Sequence, residues 1–302
     1  MNAPGAALRR TTQTVNHLRG PNHHHHHHQH YSMGSPVVPA DPPWRATFLS
    51  HVQRMASPTF VLGTLHQPGD PAAATPRVRT VVFRGMWAAL DVNPKNPAAR
   101  NPDTFTSHLP TFTTDARMDK VPELQEGAAA AAKAGGSVSG AAVEGVFWVE
   151  ETRTQWRVRG RAYVLGPDVD GDAAAPVRAA LEPHMRRVDG GASGPWSWSR
   201  EVTAHFGNLG PLMRGSFRNP PPGTPRSRAP APDSGLGLGQ RVDDVDDEVA
   251  RRNFRVVVIV PDEVDRVDLS DPENGRRWNY RLEGDEEGGS GPAQWKVTEL
   301  WP

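Results

Sequence analysis

TQWRVRGRAYVL, residues 154–165, alternates strictly between two kinds of side chain. Trp156, Val158, Gly160, Ala162 and Val164 share one parity; Gln155, Arg157, Arg159, Arg161 and Tyr163 share the other. A period of two places successive side chains on opposite faces, so the segment reads as a β-strand with one face in a core. The opposite face lines up an amide and three guanidiniums. Such a row is either a solvated sheet face or a surface suited to an anionic ligand.

Outward from this strand the pattern persists. Residues 143–149 form a preceding strand, joined to it through a tight turn at 150–153. Further strands are expected at 59–65, 77–83, 86–90 and 111–114, and then at 254–260, 264–269, 278–282 and 294–301. FRVVVIV, residues 254–260, is almost continuously β-branched, as in a strand buried on both faces. A helix is expected after Asp41-Pro42-Pro43, where Trp44, Phe48, Leu49, Val52 and Met55 fall on one stripe. Two more are expected at 177–188 and 196–206. Many short strands with few helices predict a mainly β protein, an antiparallel barrel or sandwich, and argue against βαβ units. Two stretches interrupt the pattern. Residues 126–142, rich in Ala and Gly, are expected to form a mobile loop, and residues 220–239 an irregular surface excursion.

Composition bounds the rest. The 302 residues are 36% hydrophobic and include 30 Pro and 29 Gly. The folded part should therefore occupy about 200–230 residues, within one domain over 41–302 that follows a disordered segment at 1–40. That segment carries six consecutive histidines, His23 to His28, then Gln29 and His30. The tract reads as a tag or low-complexity run with no fold to fix ligand geometry. Thirty-four basic residues balance 34 acidic ones, which argues against a nucleic-acid partner. The absence of cysteine excludes disulfides, thiolate metal sites and cysteine nucleophiles. No apolar run approaches the roughly 20 residues of a membrane span, and the basic N-terminus lacks a secretory hydrophobic region. A soluble, cytoplasmic protein with no membrane partner is expected.

Polar chemistry concentrates in four segments. In RVRTVVFRG, residues 77–85, Arg79 shares the parity of Val81 and Phe83. A guanidinium leaving an apolar face calls for an anion, either a phosphate or a protein carboxylate. In TFTTDARMDK, residues 111–120, Thr113 and Thr114 end a strand, Asp115 is placed to N-cap a helix, and Arg117 and Lys120 sit on its first turns. Hydroxyls, free amides and cations together make a phosphate cradle, or ordinary capping with solvated charges. Gln155 and its arginine row are the third segment. HFGNLGPLMRGSFRNPPPG, residues 205–223, is the fourth, carrying Asn208, Arg214 and Ser216. His51, His66, His108, His184 and His205 are scattered singly, and no Ser/His/Asp spacing suggests hydrolysis. The acidic run at 243–248 lacks the glycine-bearing loop of a calcium site, so no metal is expected. No glycine-rich nucleotide loop is present.

In these segments the chain resembles the pyridoxamine 5'-phosphate oxidase family of FMN-binding split barrels. More closely it resembles the fungal and cyanobacterial branch of pyridoxamine 5'-phosphate oxidase-like FMN-binding domains, across 41–302 outside the two interruptions. The resemblance implies an antiparallel Greek-key split barrel with peripheral helices, and FMN at the interface of a homodimer. By the same resemblance Arg79, Thr80 and Arg84 hold the FMN phosphate and ribityl chain, with Thr113, Thr114, Arg117 and Lys120 beside them. TQWRVRGRA resembles the strand whose Gln approaches the isoalloxazine ring, implying Gln155. MRGSF followed by NPPPG implies Arg214 and Ser216, and RRWNY…WKVTELWP puts Arg277 at the flavin-proximal arginine. Trp278, Trp295 and Trp301 would help form the dimer interface. The implied activity is that of an FMN-dependent oxidoreductase, with hydride transfer to FMN and reoxidation by oxygen, acting on a small molecule such as a pyridoxamine or pyridoxine phosphate. The family's substrate-gripping Arg-x-His pair falls on Glu273 and Gly275, and Ser270 lies near a family Trp. The substrate is therefore left open, and a non-catalytic protein holding FMN or a related phosphorylated cofactor is the alternative.

Overall fold

The computed structural model describes residues 41–67, 73–135, 140–191, 194–284 and 293–302; the N-terminal segment with its histidine tract lies outside them. In chain order the strands are β1 (Thr59–His66), β2 (Thr75–Met86), β3 (Phe105–Ser107), β4 (Pro110–Asp115) and β5 (Ala141–Val149). They continue with β6 (Thr154–Leu165), β7 (Met185–Arg187), β8 (Phe254–Asp268), β9 (Arg276–Glu283) and β10 (Gln294–Leu300). The helices are α1 (Arg45–Val52), α2 (Lys120–Gly135), α3 (Ala175–Leu181), α4 (Trp198–Gly207), α5 (Pro211–Gly215) and α6 (Glu248–Asn253).

Six strands close into an antiparallel barrel in the order β8–β4–β2–β1–β5–β6 and back to β8. The fold is mainly β, a split barrel with peripheral helices. The split is made by β8. One edge of it pairs with β6 from Val256 to Asp268. The other edge pairs first with β4, over Phe254–Val258, and then with β9, over Glu263–Asp268. The β9–β10 hairpin extends the sheet beyond the barrel.

The parity of β6 holds: Trp156, Val158 and Ala162 are buried, and the arginines lie on the outer face. Gly160 is required where it stands, because a Cβ there would lie 2.0 Å from the Val260 carbonyl oxygen. The register shifts between Arg159 and Gly160, opposite Pro261. This bulge lets β8 run through a residue that cannot donate to the ladder, so the two strands expected at 254–260 and 264–269 are one.

The barrel interior is aromatic. Phe60 stacks on Phe147 at 4.4 Å, and Phe48 of α1 meets Phe147 edge-on at 5.0 Å. Each such buried side chain contributes about 1.5–3 kcal/mol. A second core, including Trp87, Phe206, Phe217, Ala250 and Phe254, packs α4 and α6 against β8. Val257 and Ile259 face the barrel while Val256 and Val258 face this second core. The β-branched run is thus buried on both faces.

Several expectations are corrected. Residues 126–135 are helical, since five consecutive alanines favour a helix and Gly127 lets α2 come close to Ala141 of β5. No strand forms at 86–90, where the chain turns through Ala88 at φ 57°. The helix expected at 177–188 ends at Leu181; Pro183 leads into a 3₁₀ turn and then β7, which pairs with β3. Asp115 does not cap a helix: it ends β4, and α2 begins five residues later. No helix among the described residues is long and apolar enough to cross a membrane.

Candidate functional site

A cavity of about 830 Å³ lies between β2, the end of β4, the start of α2 and the segment from Met213 to Leu238. Thr80, Val82 and Arg84 reach it from the parity of β2 opposite to Phe83. A register shift between Phe83 and Met86, with Gly85 at φ +99°, ends β2 beside Arg84. Such bulges re-aim side chains. The Arg84 Nε donates to Thr113 Oγ1 at 3.3 Å. From the first turn of α2, Lys120 Nζ donates to Thr114 Oγ1 at 3.1 Å.

These two cations are uncompensated. Among the described residues neither has a carboxylate within ion-pair distance. Of the acids that act on Lys120 from beyond ion-pair distance, Glu123 accepts from Arg79 at 2.5 Å and Asp115 from Arg117 at 2.6 Å, while Asp119 is in no ion pair among the described residues. Burial pulls the Arg84 guanidinium down from its ordinary value. It also holds the Lys120 ammonium below its usual range, and the charge of Arg79 adds to this. Desolvated, unpaired cations are costly, and a bound anion relieves the cost.

The structure brings Thr80, Arg84, Thr113, Thr114, Lys120 and Ser216 together at this cavity, as the sequence reading grouped them. Ser216 donates its hydroxyl to the Met213 carbonyl at 2.7 Å. The other expected residues lie outside the lining of this cavity. Arg79 bonds Glu123 and Thr64, the carboxylate alternative for that guanidinium. Arg117 holds Asp115 and donates to the carbonyls of Asn219 and Phe217, at 3.0 and 3.2 Å. Gln155 lies on β6, opposite Trp148 and Val267. Arg277 pairs with the buried Asp265 at 3.0 Å. Arg214 is only 3% exposed, with Nε and Nη1 lacking hydrogen-bond partners.

Two of the three arginines in the β6 row are neutralised by protein carboxylates, and Arg161 makes no ion pair among the described residues. Arg157 meets Glu144 and Asp265, and Arg159 meets Asp262 and Glu263. That face is an ion-pair lattice.

Sequence reasoning missed one wall of the cavity. Asn219, Pro220–Pro222, Thr224–Arg226 and Arg228–Pro230 line it, with Met118 and Met213. These residues fall in the segment expected to be a surface excursion. The one available signal was NPPPG directly after RGSF, since prolines with locked φ make a fixed wall more readily than a loose loop. A smaller cavity of about 290 Å³ shares Arg84 and is otherwise lined by Leu49, Val52, Met55, Leu209 and His205, among others. Burial lowers the His205 pKa, so the ring is neutral; its Nδ1 faces the Glu201 carbonyl at 3.0 Å and its Nε2 faces Thr111 Oγ1 at 3.3 Å. It is a satisfied core histidine.

Comparison with known proteins bears on this arrangement. Residues 41–166 match the family model described as Pyridoxamine 5'-phosphate oxidase, FMN-binding domain. No curated protein matches the chain. Among solved structures, the chain is similar to a pyridoxamine 5'-phosphate oxidase-related, FMN binding protein from Nostoc punctiforme. The two are 20% identical with a TM-score of 0.53, over 87% of this chain and 100% of that one. It is also similar to PhzG from Burkholderia lata, solved in complex with tetrahydrophenazine-1-carboxylic acid, at 16% identity and a TM-score of 0.41, over 86% of this chain and 89% of that one. The Nostoc structure shares the fold. The matched region contains β1, β2, β4, β5 and β6, all of the barrel but β8, together with Arg84, Thr113, Thr114 and Lys120. The likeness to the pyridoxamine 5'-phosphate oxidase FMN-binding domain thus rests on residues 41–166, and the Nostoc structure extends the likeness of fold over most of the chain.

Proposed function

We propose that the cavity holds the phosphate of FMN and that the protein is an FMN-dependent oxidoreductase. One observation carries this reading: Arg84 and Lys120, both desolvated, line the cavity with no carboxylate within ion-pair distance among the described residues. A phosphomonoester carries close to two negative charges at neutral pH, which matches two cations. The Thr113 and Thr114 hydroxyls touch those cations and are within the same wall. The match of residues 41–166 to an FMN-binding domain model and the shared fold support FMN as the ligand.

A bound flavin supplies the hydride acceptor and its reoxidation by oxygen. The chain supplies binding and orientation. Arg84 and Lys120 neutralise the phosphate, while the threonines fix the direction in which those cations point. Arg117 is a positioning residue, since it ties Asp115 to the carbonyls that start the proline-rich wall. The only carboxylate lining the cavity among the described residues, Asp115, is locked in that ion pair. No side chain there stands free as a general base, so a substrate amine would lose its proton without one. Gln155, Arg214 and Arg277 are assigned to the flavin by the resemblance alone.

A homodimer is part of the proposal. The outer face of β1, β2 and β5 exposes Val61, Leu65, Val78 and Trp148, and it continues through Thr80 and Val82 into the cavity. A second copy covering this face would bury the apolar patch and close the site. The second reading is a flavin carrier without turnover, favoured by Glu273 and Gly275 standing where the family's substrate pair is expected. A visible spectrum separates the two. Flavin bands that bleach on anaerobic addition of pyridoxamine 5'-phosphate support the oxidase; bands that persist support the carrier or a different substrate. Protein that is colourless and takes up no added FMN refutes both.

A further inference from the structure

The wall of the cavity facing Arg84 and Lys120 is itself cationic. Arg226 and Arg228 both line it, both are exposed, and neither has an ion-pair partner among the described residues. Their segment is held in place. Pro220, Pro221, Pro222, Pro225 and Pro230 lock φ at five positions, which removes backbone freedom. Two turns follow one another, with the Thr224 amide donating to the Pro221 carbonyl at 3.3 Å and the Arg228 amide to the Pro225 carbonyl at 2.9 Å. Gly223 adopts φ +77° within the first, a conformation that glycine enters without strain.

Both ends of the segment are anchored. At its start, Arg117 and the Asn253 side chain donate to the Phe217 carbonyl, and Arg117 donates to the Asn219 carbonyl as well. Beyond its end, Arg218 grips Asp247 at 2.8 Å and donates to the Gly235 carbonyl. The two arginines are therefore presented over the cavity by a braced strap.

The pair also leaves room for a second anion. A phosphomonoester neutralises Arg84 and Lys120 on the floor, and the single lining carboxylate is held by Arg117. Nothing described offsets Arg226 and Arg228. We propose that these two arginines form a second anion subsite at the lip of the cavity, which takes a phosphate or carboxylate group lying beyond the flavin phosphate. It rests on the cofactor reading above. Two sources carry that chemistry: the second phosphate of a dinucleotide flavin, or an anionic group on a separate substrate.

The test uses the full chain with Arg226→Gln and Arg228→Gln combined, and in a second variant Arg226→Glu and Arg228→Glu. Deflavinated protein is titrated with FMN and with FAD, and FMN-loaded protein is titrated with inorganic pyrophosphate, at low and high salt. The FMN affinity is expected to stay within about twofold. One anion response is expected to fall by about tenfold with the glutamines and further with the glutamates, the wild-type response weakening in salt as exposed charges are screened. Loss of a FAD preference assigns the subsite to the cofactor; loss of pyrophosphate binding to FMN-loaded protein assigns it to a substrate. If FMN binds normally and neither response moves, the subsite is refuted while the cofactor reading stands. If FMN affinity itself collapses in the glutamine variant, the arginines belong to the flavin phosphate and a separate subsite is refuted. Wild-type protein that takes up no FMN overturns the cofactor reading and this inference together.

Discussion

Replacing Lys120 with Met separates the cost of the cation to the fold from its value to a ligand. Lys120 is 9% exposed, donates to the Thr114 hydroxyl, and has no carboxylate partner. Methionine is of similar length and carries no charge. Removing an uncompensated charge from a buried position is neutral or stabilising, by up to about 1–2 kcal/mol. The ligand loses one charge-assisted contact to its phosphate, worth about 1.5–3 kcal/mol, so FMN affinity should fall about 10- to 150-fold. Riboflavin, which lacks the phosphate, should bind wild type and variant alike.

The same burial predicts a pH effect on the ligand-free protein. The folded-state pKa of Lys120 lies below the ordinary value of 10.5, so between the two the unfolded chain binds more protons. Stability from this group therefore rises with pH across that window. The rise should vanish in Lys120→Met and shrink when phosphate is bound, because a bound anion restores the cation. Flavin-fluorescence titration with FMN and riboflavin, paired with thermal melts from neutral to alkaline pH, reads every arm. Equal FMN affinity in wild type and variant, or a parallel loss of riboflavin binding, would falsify the phosphate assignment.

Other consequences can be checked individually. Arg84→Gln should weaken FMN binding with riboflavin again spared, and the two substitutions together should abolish FMN uptake in equilibrium dialysis. Arg79→Met strands Glu123, whose side chain is 4% exposed, and should cost about 3–5 kcal/mol in a urea melt; adding Glu123→Gln should recover much of it. Gly160→Ala drives a Cβ into the Val260 carbonyl and should cost about 3 kcal/mol or more, read as a lowered Tm or loss of soluble protein. Burial first, and then the neighbouring His184, push the His108 pKa to about 4, so the folded chain binds fewer protons than the unfolded one below pH 6.5. Stability should fall by about 3 kcal/mol as pH drops from 6.5 to 4, and His108→Gln should flatten that slope; an unchanged slope in the variant would refute it.

Period-two alternation was sufficient to place β6 and its buried face, because Trp156, Val158 and Ala162 have no other way to leave water together. The continuous β-branched run likewise announced a strand covered on both sides, and β8 is one. Absent cysteine excluded disulfides, thiolate ligands and cysteine nucleophiles without coordinates. Local pattern put Thr113, Thr114 and Lys120 in one segment, where a strand end is followed by cations; Arg84, 29 residues before Thr113, joined them only through the family resemblance.

Only the closed barrel decided which guanidiniums remained available. Arg79, Arg84 and Arg117 look alike in one dimension. Glu123, 44 residues from Arg79 in sequence, takes the first; Asp115 takes the third; the second is left free. Arg157 and Arg159 find their carboxylates on neighbouring strands, through a register that sequence does not display. The proline-rich strap is the plainest case. Its composition says that it cannot be a strand or helix, but its place over the cavity depends on distant anchors at Arg117, Asp247 and Asn253. Propensity and periodicity are local quantities. Charge compensation is settled by which groups the tertiary fold brings within a few ångströms, and that is why the site needed the structure and the strands did not.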